Sequence, residues 1–186
     1  MKIDLFIDNN AWDIFSAQQI DLSIELPQAE FNLKITREAE FEISQMPPEK
    51  RAYVEQYINQ KSVKTDSFFG FYDPSLPPEE QRNGGFGSDF DLDIGGRFIT
   101  PDEALLIENE PISSSKRPTG LFKNEADISL AARSLHSFVI TCDGKKALKR
   151  VKDNHKGKII DLKKYTAGTS LYSFIKAEIC LINAQI

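Results

Sequence analysis

Ile3-Asp4-Leu5-Phe6-Ile7-Asp8-Asn9-Asn10, running on into Ala11-Trp12-Asp13-Ile14-Phe15, reads as strand, acid, helix. Ile3 to Ile7 is a short β-type run that stops at Asp8, and from Ala11 to Ile20 the apolar residues Trp12, Ile14, Phe15 and Ile20 fall at helical spacing. The same order of strand and acid recurs at Phe138-Val139-Ile140-Thr141-Cys142-Asp143. Two further acids belong to helical patterns. Glu42 lies in Ile35-Thr36-Arg37-Glu38-Ala39-Glu40-Phe41-Glu42-Ile43, and Asp127 opens Asp127-Ile128-Ser129-Leu130-Ala131. Acids placed after strands and on helices suggest a metal site at the top of an α/β sheet, because ligands in such sheets bind beyond the carboxyl ends of the strands.

Between these motifs the pattern alternates strand and helix. Ile20, Leu22, Ile24 and Leu26 alternate with polar residues, which suggests an extended stretch or a loop before Pro27. Phe31, Leu33 and Ile35 form a strand leading into Thr36 as a helix N-cap, and the helix that follows carries Glu38 and Glu42 on one face. Pro47 and Pro48 end it and open another, striped by Tyr53, Val54, Tyr57 and Ile58. From about residue 61 to 123 turn formers and aromatics mix without sustained periodicity, and the segment reads as a long insertion in a single domain, partly ordered through its aromatic residues. Regular order resumes with a helix at Asp127, a strand at Phe138–Ile140, a basic helix at Lys145–Val151, a strand at Ile159–Leu162 and a helical tail through Leu171, Phe174, Ile175, Ile179 and Ile182. Alternation of this kind predicts an α/β three-layer αβα sandwich with a mostly parallel central sheet.

Composition narrows the function classes. A chain of 186 residues with 40% hydrophobic content can bury one substantial core. No apolar run approaches the roughly 20 residues needed to cross a bilayer, and no signal-peptide pattern opens the chain, so a cytoplasmic protein without a membrane partner is expected. Cys142 and Cys180 lack zinc or disulfide spacing and read as buried thiols. The net charge of −5 disfavours a generic nucleic-acid coat, yet residues 145–164 carry +7 and the rest of the chain −12. That window suits either a phosphate backbone or a solvated basic helix face.

Several weaker patterns are set aside. Asp89-x-Asp91-x-Asp93-x-Gly95 misplaces its glycine for a calcium loop and has Thr100 where that loop needs a glutamate. His136 and His155 are too few for a metal cluster, and Gly84, Gly85 and Gly87 lack the Lys-Ser/Thr of a phosphate loop.

Taken in order, strand-Asp8-x-Asn10, Ile35-Thr36-x5-Glu42-Ile43, Asp127-Ile128-x-Leu130-Ala131 and strand-Thr141-x-Asp143 resemble the PIN-domain family of nucleases, which includes ribonuclease toxins of bacterial toxin-antitoxin pairs. The resemblance covers residues 1–45 and 124–165. It implies a metal-dependent endoribonuclease with an RNA substrate, an antitoxin partner and a homodimer. Asp8, Glu42, Asp127 and Asp143 would hold Mg²⁺ or Mn²⁺, Asn10 would support Asp8, and Thr141 would supply a hydroxyl at the catalytic site. Glu38 and Glu40 are rivals to Glu42. Independently of the family, several carboxylates in one cleft repel one another unless a divalent cation neutralises them, and hard oxygen donors suit Mg²⁺ or Mn²⁺. Lys145, Lys146, Lys149 and Arg150 would contact the RNA backbone. The alternatives are a catalytically inactive PIN-like protein-interaction module using the aromatic insertion, and a structure-selective DNA nuclease. Clustered acids speak against the first, and the lack of a helix-hairpin-helix segment against the second.

Overall fold

A computed structural model of the chain describes residues 2–70, 74, 80–85, 96–144 and 146–185. The Asp89/Asp91/Asp93 stretch, Phe71, Gly87 and Lys145 lie outside the described residues.

Strand β1 (Ile3–Ile7) is the centre of the fold. It pairs in parallel with β2 (Phe31–Thr36) on one side and with β5 (Phe138–Thr141) on the other. Next to β2 stand β3 (Val63–Phe68) and then the two-residue edge strand β4 (Gly96–Arg97), while β6 (Ile159–Asp161) closes the other edge beside β5. All these pairs are parallel, in the order β4-β3-β2-β1-β5-β6.

Strand alternation sorts the side chains of β1 into two cores. Leu5 and Ile7 face a layer formed by α1 (Ala11–Ala17), α4 (Pro48–Asn59) and α8 (Leu171–Asn183), through Trp12, Phe15, Val54, Leu171 and Ile175. Phe6 faces the opposite layer of α5 (Pro101–Asn109), α6 (Glu125–Arg133) and α7 (Lys146–His155), through Leu106, Leu130, Ala131 and Leu148. The result is a three-layer αβα sandwich. Every residue of β5 is buried, as expected for a parallel strand covered on both faces.

Three local expectations are corrected. Residues 22–25 are not extended but form a single helical turn, α2 (Leu22–Glu25), because the Asp21 carboxylate caps the Ser23 N–H at 2.9 Å and the turn buries both Leu22 and Leu26. Ile24, part of the apparent alternation, is left 71% exposed. Secondly, the insertion read as having no sustained periodicity contains β3, β4 and α5. Strand β3 escapes a hydrophobic reading because Asp66 and Ser67 are buried polar residues within it. Helix α5 does carry a readable signal, a capping box in which Thr100 and Glu103 cap each other's backbone ahead of Pro101. Thirdly, Cys180 is exposed on α8 and Cys142 is only partly buried.

An ionic network fastens the α5/α6 layer to the sheet. The Arg133 guanidinium is fully buried, donating through Nε to Asp66 Oδ1 at 2.7 Å and through Nη1 to Ser129 Oγ at 2.5 Å, and it lies 4.1 Å above the Phe68 ring. Arg97 covers the same ring at 4.7 Å and grips Glu103, itself fully buried, with two hydrogen bonds of 2.5 and 2.8 Å. Removing one partner of such a pair strands a buried charge. Arg133→Ala is therefore expected to cost about 3–5 kcal/mol of unfolding free energy, readable by urea denaturation followed through the single tryptophan, Trp12, which is wholly buried against α4.

Candidate metal centre

The sheet order fixes where a site can form. From β1 the chain winds outward through β2, β3 and β4, then returns to place β5 on the opposite side of β1. The connections leaving β1 and β5 therefore diverge, and a crevice opens at their carboxyl ends. Asp8 and Asp143 both lie there, just after their strands.

Asp8 is 7% exposed and is held by short bonds from both strand ends. Its backbone N–H donates to Ile140 O at 3.0 Å, which continues the β1–β5 ladder, and its carbonyl accepts from Ala11 N–H as α1 begins. Its Oδ2 accepts from Thr141 Oγ1 and from Asn10 Nδ2, each at 2.6 Å. Asn10 uses its other end to accept the Cys142 N–H at 2.6 Å, so one side chain spans the two strand ends. Thr141, fully buried, gives its only proton to Asp8 and accepts the Asp143 N–H at 2.8 Å. Burial pushes the Asp8 carboxyl above its ordinary value, and the charge of Glu42 adds to the rise against the donors from Thr141, Asn9 and Asn10.

Asp127 sits in the first turn of α6. Burial, followed by the charges of Asp8 and Asp143, pushes its carboxyl up to about 6, although Lys146 and Arg117 act in the opposite direction.

Glu42 approaches from α3 (Arg37–Ile43), whose start is set by Thr36 Oγ1 accepting the Ala39 N–H at 3.1 Å. Asn9 ties this helix to the β1 loop, donating from Nδ2 to Ala39 O at 2.9 Å and to Glu42 Oε2 at 3.1 Å. The remaining Glu42 oxygen is paired with Arg117. The rival acids are turned to other tasks, since Glu38 accepts from Ser129 Oγ at 2.7 Å and Glu40 pairs with Arg37 at 2.5 Å. Glu42 is thus the α3 acid whose charge reaches Asp8, and it arrives already paired with Arg117.

Among the described residues, no three acid, histidine or cysteine side chains come close enough to form a ready-made metal cage. The donor set nevertheless fits a hard divalent cation. It is all carboxylate oxygen, it is partly buried, and its members repel one another. Mg²⁺ in particular is held by one or two carboxylates together with water and substrate phosphate, without an all-protein cage.

Of the basic residues expected to meet RNA, Lys146 lies near enough to act on Asp127, and Lys149 is exposed on α7. Arg150 is instead engaged by Glu110 of the α5 C-cap. Sequence reasoning missed Asn9 and Arg117. Asn9 is overshadowed by Asp8 and Asn10, and nothing in Ser113-Ser114-Ser115-Lys116-Arg117 distinguishes Arg117 from an ordinary loop cation.

No protein-family model, curated protein or solved structure matches the chain.

The Asp127 carboxyl yields a stability prediction for the metal-free protein. Its folded value of about 6 lies above the ordinary 3.8. Between those values the folded chain holds a proton that the unfolded chain has released, so stability falls as pH rises from about 4 to 6. Asp127→Asn is expected to stabilise the protein at pH 7.5 by on the order of 1 kcal/mol, after allowance for partial exposure. That gain should shrink as pH falls through about 6 and vanish below about 4, as measured by thermal melts in EDTA.

Proposed function

We propose that this chain is a metal-dependent endoribonuclease that hydrolyses RNA phosphodiester bonds at the β1/β5 crevice. The observation that supports the reading is the placing of Asp8 and Asp143 just beyond the neighbouring strands β1 and β5 at the topological switch point, with the Asp8 carboxylate held by Thr141 and Asn10. Asp8, Asp127 and Asp143 are the residues that would hold Mg²⁺ or Mn²⁺, with Glu42 joining them if Arg117 turns away. Bound there, such a cation would neutralise the acids, lower the pKa of a water and stabilise charge on the leaving oxygen.

The side chains around the acids supply the rest. Thr141 and Asn10 fix the Asp8 carboxylate in one orientation, which leaves little reorganisation to the moment of reaction. Lys146 and Arg117 bring positive charge to the border of an acidic crevice, where a phosphodiester would otherwise be repelled. The resemblance of the four motifs to PIN-domain nucleases agrees in order with this set of roles.

The test is cleavage of a mixed panel of labelled RNAs and single-stranded DNAs with Mg²⁺ or Mn²⁺. Asp8→Asn and Asp143→Asn should each lower RNA cleavage by at least about 100-fold while melting as cooperatively as wild type. DNA cut in preference to RNA would overturn the substrate assignment. Thr141→Val, which removes the Asp8 donor but keeps the volume, should lower Mn²⁺ affinity and cleavage together by about 10–100-fold.

A further inference from the structure

Glu42 stands beside the β1 loop with both of its oxygens engaged. Oε2 accepts from Asn9 Nδ2 at 3.1 Å, and Oε1 is paired with Nη1 of Arg117. The Glu42 side chain is 15% exposed and that of Arg117 39%, so the pair stands between a surface contact and a buried one.

The cation of this pair is presented by a built hairpin. Arg117 N–H donates to Leu121 O at 2.8 Å and Gly120 N–H to Arg117 O at 3.0 Å, which makes residues 118–120 a three-residue loop. Pro118 forms its first corner, and Gly120 takes φ +78°, the left-handed position that closes such a loop. An antiparallel bridge between Lys116 and Phe122 continues the hairpin. Leu121 is buried, and Arg82 ties the turn to α6 by donating to Gly120 O at 3.0 Å and to Glu125 Oε1 at 2.7 Å. Arg117 Nη2 donates to Lys123 O at 2.9 Å, which steadies the guanidinium while Nη1 faces Glu42. The hairpin lies in the connection from α5 to α6, the helix that carries Asp127, and the charge of Arg117 also favours the ionised form of that acid.

A carboxylate oxygen held by a guanidinium is not a free ligand, and two cations brought to one carboxylate repel each other. A divalent ion that recruits Glu42 therefore displaces Arg117. We infer that Arg117 is a resident counter-ion of Glu42, a latch that keeps this acid out of the cation site until a divalent ion takes it. The inference rests on the metal-centre reading, since it concerns how that site is completed. While the latch is closed, Arg117 supplies positive charge to the acids and weakens their hold on a divalent ion. Once released, the guanidinium stays tethered by the hairpin and can pair with a substrate phosphate through its planar fork of donors. Arrival of the cation and exposure of a phosphate-pairing group are then one event.

The experiment is a titration of Mn²⁺ into the full chain at pH 7.5, with free ion followed by electron paramagnetic resonance, for wild type, Arg117→Gln, Glu42→Gln and the double variant. Arg117→Gln should bind Mn²⁺ about 3–10-fold tighter than wild type, because the competing ion pair is gone. That gain should disappear when Glu42→Gln is also present. Lys116→Gln removes one charge from the same hairpin, from a side chain that lies over the Phe122 ring, and should stay within about 2-fold of wild type. In wild type, saturation with Mg²⁺ should free the Arg117 guanidinium to rotate, seen by NMR as averaging of its Nη signals. An affinity of Arg117→Gln no higher than that of wild type, in a variant that melts as wild type does, would overturn the latch and leave the metal centre standing. So would a gain undiminished by Glu42→Gln, or wild-type Nη signals that stay distinct at saturating Mg²⁺. Mn²⁺ bound by neither wild type nor Arg117→Gln would remove the metal centre and the latch with it.

Discussion

One hydroxyl proton holds the candidate site together. Thr141 donates it to Asp8 across the β1/β5 boundary at 2.6 Å, in a setting where both residues are buried. A carboxylate withdrawn from water must recover its hydrogen bonds from the protein, and Thr141 and Asn10 supply them, both to Oδ2. Because Thr141 also accepts the Asp143 N–H, the same atom sets the path of the chain that carries the second acid. Position of Asp8 and position of Asp143 are consequently one structural fact.

Asp127 depends on a different constraint. Helix α6 is fixed to the sheet by Arg133, whose bonds to Asp66 reach across to β3 and whose bond to Ser129 connects through that hydroxyl to Glu38 of α3. The network is buried and its members are paired, with Arg97 and Glu103 extending it to α5. Polar groups of this kind add little net stability compared with apolar packing, but they tolerate only one arrangement. They fix α6, whose first turn carries Asp127, against the sheet and α3.

Much of the frame is legible in the sequence because its strands are apolar and short and its helices are periodic. Ile3–Ile7, Phe31–Ile35 and Phe138–Ile140 announce themselves, as does the Thr36 cap. What escapes has a common cause. Strand β3 is buried through Asp66 and Ser67, and its partner cation Arg133 is 67 residues away, so no local pattern reveals either. The four acids can be named from their strand and helix contexts, and the structure sets Asp8 and Asp143 just beyond the neighbouring strands β1 and β5 and Asp127 in the first turn of α6. The pairing of Glu42 with Arg117 is not legible, since the two are brought together only by the hairpin at residues 117–121.

The Asp8 and Asp127 carboxyls are both raised above their ordinary values, chiefly by burial, and a divalent cation bound to them would favour their charged forms. The most direct measurement is therefore a titration of Mn²⁺ into wild type and Asp8→Asn at pH 7.5, with free ion followed by electron paramagnetic resonance. Depletion of free Mn²⁺ by wild type, lost in a folded Asp8→Asn, is the result expected of a metal centre. A free-ion signal that wild type leaves unchanged at millimolar protein would contradict it.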